Sequence, residues 1–228
     1  MNAAAIWAMI FGMGLYQGLN PPMGWLPAVE RGFVSGRIQP LIHRAAATSF
    51  GHFLAMLAVM LPVAALLALG FLSPDPLQRA LALFMIGFGL YKLWRPRHPA
   101  FLARIPPDRP VKWSFLMAVT HCGSPMMMVS PLVTLYALMA NNARLANVGA
   151  EPILANVGMA VVVSAAMIVP LLMTSGAIAL ALYLRRDLRA ITKIWFNLDI
   201  GWAISMIAMG LMALWMSPMM VAPICRAL

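Results

Sequence analysis

Five stretches of this chain contain no Asp, Glu, Lys or Arg, and they limit its possible folds more than any other feature. They cover residues 1–29, 45–74, 113–143, 152–184 and 200–225. Each is longer than the roughly 20 apolar residues with which a helix crosses a hydrocarbon core about 30 Å thick. Of the 228 residues, 63% are hydrophobic and only 10% are charged, whereas soluble domains carry about 25% charged residues. The chain is therefore not an ordinary soluble enzyme, a disordered regulator or a secreted disulfide scaffold, and lipid is its expected partner.

A sixth apolar segment, from Leu77 to Trp94, carries charge only near its ends, at Arg79 and Lys92. Long basic side chains at such positions can reach the lipid headgroups. The pattern predicts an all-α membrane protein, with one transmembrane domain over residues 1–228 and six membrane helices. We place these helices at about 3–29, 45–72, 77–94, 113–139, 153–183 and 196–216.

Prolines interrupt two of the six predicted helices. Asn20-Pro21-Pro22 lies in the first helix, and Gly123-Ser124-Pro125 lies in the fourth. Proline removes a backbone hydrogen-bond donor and clashes with the preceding helical turn. We therefore predict that helices one and four are broken at these prolines.

The basic residues predict the orientation in the membrane. The connections at 30–44, 92–112 and 184–195 hold thirteen of the sixteen Lys and Arg. The positive-inside rule puts these connections in the cytoplasm and both chain termini outside an inner (plasma) membrane. The net charge of +10 then has a topological explanation, and no nucleic-acid partner is expected. The N-terminus has neither a basic region nor an A-x-A cleavage site, so no removable signal peptide is predicted.

An internal repeat relates the two halves of the sequence. A shift of 104 residues puts Asn20-Pro21 over Ser124-Pro125 and Pro27 over Pro131, and the next helix of each half has a Gly followed by a distant Pro (Gly51 and Pro62, then Gly158 and Pro170). Because each half has three helices, the repeats at about 3–94 and 113–216 would run in opposite directions, as in many secondary transporters. Chance is the alternative explanation, since Gly and Pro are frequent in membrane helices.

At these motifs the chain resembles the lysine exporter superfamily. The resemblance rests on the Asn-Pro-Pro break, the basic segment with Ser35-Gly36-Arg37, the end of helix three from Ile86 to Arg95, and the Ser-Pro break in helix four. It implies a small inner-membrane transporter of amino acids, nickel, cobalt or other divalent metals. The His-x4-Asp-His signature of members related to nickel transport has no counterpart in this sequence.

Polar residues inside the apolar segments are the candidate substrate site. Such residues cost free energy in lipid, so they usually face the bundle interior and are often functional. Broken helices add backbone groups that can coordinate an ion or a charged substrate. The predicted site comprises Gln17, Asn20, Pro21, His52, His121, Ser124, Pro125 and Asp199. Gln17 and His121 are equivalent under the 104-residue shift.

Imidazole, thiol and carboxylate groups together suit a borderline metal such as zinc, nickel or copper. The candidate metal ligands are His121, Cys122, His52 and Asp199, and the same histidines suit a coupling proton. Structural alternatives stay open: Asp199 can lie at the cytoplasmic interface beside Lys193 or Arg189, the histidines can bond carbonyls freed by prolines, and Cys122 can be a packing residue.

Two functions follow from this pattern. The first is a secondary transporter or exporter that moves a small cation, divalent metal or amino-acid-like metabolite by alternating access, with no enzymatic activity, since no catalytic motif is present. The second is a non-transporting membrane subunit of a larger complex, whose polar residues satisfy backbone groups or bind a partner's helix. Either protein could form a homo-oligomer, and no cofactor is predicted beyond a transported metal or a coupling proton.

Overall fold

All regular secondary structure in the described part of the chain is helical. The computed structural model describes residues 3–21, 24–95, 108–119, 129–136, 152–186 and 198–225, and gives the backbone alone for 3, 152, 198–199 and 216–225. The all-α prediction is confirmed for these residues. The helices are α1 (Ala3–Leu19), α2 (Trp25–Ser35), α3 (Ile38–Ala68), α4 (Pro74–Trp94), α5 (Pro110–Met117), α6 (129–136), α7 (Pro152–Arg185) and α8 (Leu198–Cys225).

Two of the described helices are long and apolar enough to cross a membrane. They are Ile38–Ala68 and Ile153–Arg185, and two shorter apolar helices cover Ala4–Leu19 and Ile200–Trp215. This is consistent with a membrane location. The six-helix count stays a prediction, partly because the break divides the first predicted span into two short helices and much of the fourth lies outside the described residues.

The first predicted helix is interrupted where the sequence indicates, but the connection after it was predicted wrongly. Helix α1 ends at Leu19 and α2 begins at Trp25. The segment 30–44, expected to be a connecting loop, is helical except at Gly36 and Arg37. Gly36 adopts the left-handed conformation (φ 64°) that ends a helix, which glycine reaches without a Cβ clash. Pro40 lies in the first turn of α3, where no hydrogen-bonded N–H is required.

The helices form two compact units, and each combines segments from both halves of the sequence. The first unit contains Met1–Ala58, His98–Cys122 and Val161–Leu198, and the second contains Val59–Arg97, Gly123–Ala160 and Asp199–Leu228. In the first unit, α2 and the start of α3 pack on the end of α7. The buried residues of this core are Trp25, Ala28, Val29, Leu41, Ala45 and Ala179.

In the first unit, α1 and α2 pack one after the other along α7, like a single helix with a break. Gly14 contacts the backbone of Met167, and Gly18 contacts that of Leu171. Farther along, Gly32 lies against Tyr183, and the rings of Phe33 and Tyr183 are 5.7 Å apart. The contacts advance in the same order along both helices. Helices α1, α2 and the C-terminal part of α7 therefore run parallel in chain direction.

In the second unit, α4 and α8 cross at two glycines that make equivalent contacts. A Cβ built on Gly89 would lie 2.8 Å from the carbonyl oxygen of Ala203 and 2.7 Å from Ile207 Cγ1. One built on Gly210 would lie 2.7 Å from both the carbonyl oxygen of Ala82 and Ile86 Cγ1. Gly89 therefore contacts the residues three and seven positions before Gly210. Gly210 in turn contacts the residues three and seven positions before Gly89. This reciprocity is that of an antiparallel pair related by a local two-fold axis.

The sequence repeats at this crossing. Helices α4 and α8 share the pattern Ala-x2-Met-Ile-x2-Gly-Leu-x2-Leu-Trp, which starts at Ala82 and again at Ala203. The offset is 121 residues rather than 104, because Ala203 lies 79 positions after Ser124 whereas Ala82 lies 62 positions after Asn20. The rest of this unit has its own apolar core, formed by Leu67, Leu81, Val129 and Val133. One predicted equivalence differs in environment: Gly51 is in close contact with α5, whereas a Cβ on Gly158 would meet nothing within 4 Å.

Candidate functional site

Gln17 lies on the inner face of α1 in the first unit. The buried residues of this helix recur every three or four positions, from Ile6 and Ile10 through Met13 to Gln17. Gln17 is 0% exposed, and neither its Oε1 nor its Nε2 has a hydrogen-bond partner among the described residues. Most buried polar side chains in proteins are paired. A fully buried amide without a partner is therefore a candidate ligand-binding group.

Two glycines next to Gln17 set its position on α7. Gly14 lies against the carbonyl of Met167 and the ring of Pro170. A Cβ on Gly18 would be 2.7 Å from the carbonyl oxygen of Leu171. Pro170 cannot donate to the carbonyl of Ala166, so α7 has an interrupted hydrogen-bond ladder at the same level. Backbone packing, rather than side-chain interdigitation, thus determines where the amide of Gln17 lies.

The break after α1 is closed by hydrogen bonds within the chain. Asn20 and Pro21 are both buried. The Asn20 N–H donates to the carbonyl of Gln17 at 3.1 Å, and the Trp25 indole N–H donates to the carbonyl of Leu19 at 2.9 Å. We expected the break to expose carbonyls that bind a substrate. The carbonyls of Gln17 and Leu19 do not meet this expectation, because each already accepts a hydrogen bond from within the chain.

His52 and Ser49 lie one turn apart on α3, in the same unit as Gln17. His52 is 0% and Ser49 is 2% exposed. Neither ring nitrogen of His52 has a hydrogen-bond partner among the described residues, and the same holds for the hydroxyl of Ser49. The adjacent Thr48 behaves in the usual way, because its hydroxyl donates to the carbonyls of Arg44 and Ala45 at 3.0 and 2.9 Å. The structural alternative for His52, a bond to a carbonyl freed by a proline, is therefore not observed among the described residues.

Helix α5 covers α3 next to these two side chains. The Ser114 hydroxyl donates to the carbonyl of Thr48 at 2.6 Å. Gly51 approaches the backbone of Val111 so closely that any Cβ would overlap it. Both contacts lie within one turn of His52. They hold α5 against α3 at this level of the helix.

The remaining predicted site residues are described only in part. His121, Cys122, Ser124 and Pro125 lie outside the described residues. Asp199 lies in the first turn of α8, where only its backbone is described, and it begins a segment of the second unit. The alternatives for Asp199, Cys122 and His121 therefore stay open. Within the described part of the chain, no group of three or more His, Cys, Asp or Glu could hold a metal ion.

The described groups suit hydrogen bonding and proton exchange. Imidazole and hydroxyl can each donate and accept, and the amide offers both an acceptor oxygen and donor hydrogens. Sequence reasoning identified Gln17 and His52 but missed Ser49, which the three-residue spacing from His52 could have revealed. It also missed Trp25, Gly14 and Gly18, which have no recognisable motif. No family model, curated protein or solved structure matches the chain.

Proposed function

We propose that this protein is a membrane-embedded secondary transporter whose substrate contacts include Gln17, Ser49 and His52. The observation that carries the proposal is the burial of these three side chains without hydrogen-bond partners among the described residues. An unpaired buried polar group costs about 1–3 kcal/mol. In a membrane helix such groups usually mark a substrate or ion pathway.

The helix arrangement supports transport by alternating access between two inverted repeats. The antiparallel α4–α8 crossing has local two-fold contacts and a shared sequence pattern. That relation is expected when two three-helix repeats run through the membrane in opposite directions. The parallel course of α1 and α7 also agrees with six crossings, in which the first and fifth run the same way. The six-helix bundle is accordingly part of the proposal.

The substrate is proposed to be a small hydrogen-bonding solute or cation. The described side chains are an amide, a hydroxyl and an imidazole, and they fit an amino-acid-like metabolite or a coupling proton. A divalent metal would need further ligands from His121, Cys122 or Asp199. The resemblance to the lysine exporter superfamily supports the same range of substrates.

We further propose an inner-membrane location with both termini outside. One structural feature supports this orientation: Glu30, Arg44 and Asp108 line one groove, and all three come from connections that the positive-inside rule assigns to the cytoplasm. A reporter fused after Arg226 should read as periplasmic, and one inserted near Arg104 should read as cytoplasmic. Opposite readings at both places would contradict the orientation.

Flux through proteoliposomes tests the transport proposal directly. The purified chain is assayed against a panel of amino acids and divalent metals, with and without a pH gradient. We expect at least one substrate to be moved, and we expect His52→Gln to alter the pH dependence, because glutamine keeps hydrogen bonding but does not titrate. Thr134→Val is the control, since this buried hydroxyl in the second unit already bonds the carbonyl of Ser130 at 2.9 Å. Absence of flux for every substrate from a well-folded protein would favour the membrane-subunit alternative.

A further inference from the structure

A groove in the first unit gathers charged residues of both signs. It has a volume of about 570 Å³ and is formed by one face of α2, the first turns of α3 and the residues just before α5. Its charged lining consists of Glu30, Arg31, Arg44 and Asp108. Two of the six carboxylates in the whole chain therefore face this groove. The volume lies within the range of about 300–1,000 Å³ typical of small-molecule sites.

The groove lies where charged sequence gives way to uncharged sequence. The uncharged runs end at residue 29 and begin again at residues 45 and 113. Glu30 follows the first boundary directly, Arg44 directly precedes the second, and Asp108 lies shortly before the third. If the uncharged runs are in lipid, as the proposed function requires, the groove is at the depth of the lipid headgroups.

The charges are arranged around Arg44. Its guanidinium is half-buried and lies within electrostatic range of Glu30, Arg31 and Asp108. Two guanidinium groups can bind a phosphate through charge-assisted hydrogen bonds. The two carboxylates, Glu30 on α2 and Asp108 just before α5, can accept hydrogen bonds from an ammonium group. The groove is thus complementary to a molecule that carries a phosphate and a primary ammonium on one short chain.

Apolar surface continues from this groove along α3. Val34, which lines the groove, is 74% exposed. Ile42 and Phe50, about two turns apart on α3, are 54% and 52% exposed. Such surface is suited to contact an acyl chain. A lipid whose headgroup occupies the groove could lay its tail on these residues.

We propose that the groove between α2, α3 and the start of α5 binds the headgroup of a phosphatidylethanolamine molecule from the cytoplasmic leaflet. Arg31 and Arg44 bind the phosphate, and Glu30 and Asp108 bind the ammonium. Phosphatidylcholine has no N–H to donate to the carboxylates, and phosphatidylglycerol has no cation. The site should therefore distinguish these three lipids although their acyl chains are the same.

Native mass spectrometry of the purified full chain tests this site. Delipidated protein is titrated with phosphatidylethanolamine, phosphatidylcholine or phosphatidylglycerol of identical acyl chains. We expect phosphatidylethanolamine to bind most tightly, and we expect Arg44→Gln and Asp108→Asn each to weaken it about tenfold, as expected for loss of a hydrogen bond to a charged group. Arg37→Gln is the matched control, since Arg37 is exposed at the turn between α2 and α3 and does not line the groove.

Asp108→Asn keeps the test decisive if Arg44→Gln does not fold, because Asp108 is exposed. Equal binding of the three lipids would overturn the proposal. A preference for phosphatidylglycerol that Arg44→Gln reduces and Asp108→Asn does not would also overturn it and leave a patch for anions. Soluble phosphoethanolamine should compete only weakly, and competition as strong as that of the lipid would overturn the assignment to a membrane lipid. Lipid binding is measured without flux, so its outcome is separate from the transport proposal.

Discussion

The α1–α7 contact of the first unit and the α4–α8 contact of the second use the same packing device for different purposes. In both, glycines bring a helix backbone against the carbonyls of its neighbour. Helices α4 and α8 run antiparallel, and the crossing is symmetric and lined by Ala and Ile. Helices α1 and α7 run parallel, and beside the contact lies the amide of Gln17, which has no hydrogen-bond partner in the described part of the chain.

The difference shows how a close backbone contact can support either stability or function. At α4–α8 each glycine meets the carbonyl oxygen of an alanine and the side chain of an isoleucine, so the contact is the same on both helices. At α1–α7 the contact holds a helix that breaks at Asn20. The same helix carries the buried amide of Gln17, whose burial is unfavourable in free energy. Among the described side chains of the second unit, Gln78 is the nearest analogue, with a buried Nε2 that lacks a hydrogen-bond partner.

The largest expected effect on stability comes from Gly14→Ala in α1. The new Cβ would overlap the carbonyl oxygen of Met167 and the ring of Pro170, and neither can turn away because both are held by the helix. We expect a loss of about 3 kcal/mol, at the upper end for overpacking. Gly12→Ala is the control, because a Cβ there meets nothing within 4 Å and alanine favours the helix by about 0.5–1 kcal/mol. Thermal unfolding in detergent measures both, and equal melting temperatures would refute the α1–α7 contact.

The second effect is at the symmetric crossing. Gly89→Ala and Gly210→Ala should each destabilise the protein by about 2 kcal/mol, since each Cβ would press on a backbone carbonyl of the other helix. The double variant should lose less than the sum, because the first alanine already separates the helices. Gly87→Ala on α4 should have no such cost, as a Cβ there meets nothing within 4 Å. Fully additive losses in denaturation experiments would argue against one shared contact.

Trp25→Phe comes next in size and tests the closure of the break. Phenylalanine keeps most of the buried ring but leaves the carbonyl of Leu19 without the indole N–H that it accepts at 2.9 Å. We expect a loss of about 1–2 kcal/mol. Faster amide hydrogen exchange should be confined to the end of α1 and the start of α2. Unchanged exchange at these residues would mean that the indole does not hold the break.

Gln17→Leu should have the smallest effect on stability and the clearest effect on function. Leucine removes two unpaired polar atoms and has a similar length, so the free energy of unfolding should stay within about 1 kcal/mol or rise. Proteoliposome flux should fall strongly if Gln17 contacts the substrate. A leucine variant that is markedly unstable yet transports normally would make Gln17 a structural residue and remove the distinction between the two contacts.

Parts of the fold and site could be predicted from the sequence because they depend on local physical chemistry. The uncharged runs indicated helices, and Asn20-Pro21 indicated a break, since proline cannot continue the hydrogen-bond ladder. The segment 30–44 was predicted wrongly because its charged residues suggested a connecting loop. In the structure only Gly36 and Arg37 are not helical. The α4–α8 repeat was missed because more residues separate the proline motif from this pattern in the second half of the sequence than in the first, so a single shift cannot align both pairs of helices.

The sequence by itself determined the helical class, the apolar spans and the position of the break after Leu19, because composition and proline act on the chain locally. It also pointed to Gln17 and His52, since polar residues are rare in apolar helices. Only the tertiary structure decided that these side chains lack partners among the described residues, that Trp25 bonds across the break and that Glu30, Arg44 and Asp108 meet in one groove. Each of these depends on which residues from distant parts of the chain come together, and that depends on packing between helices rather than on the properties of any one segment.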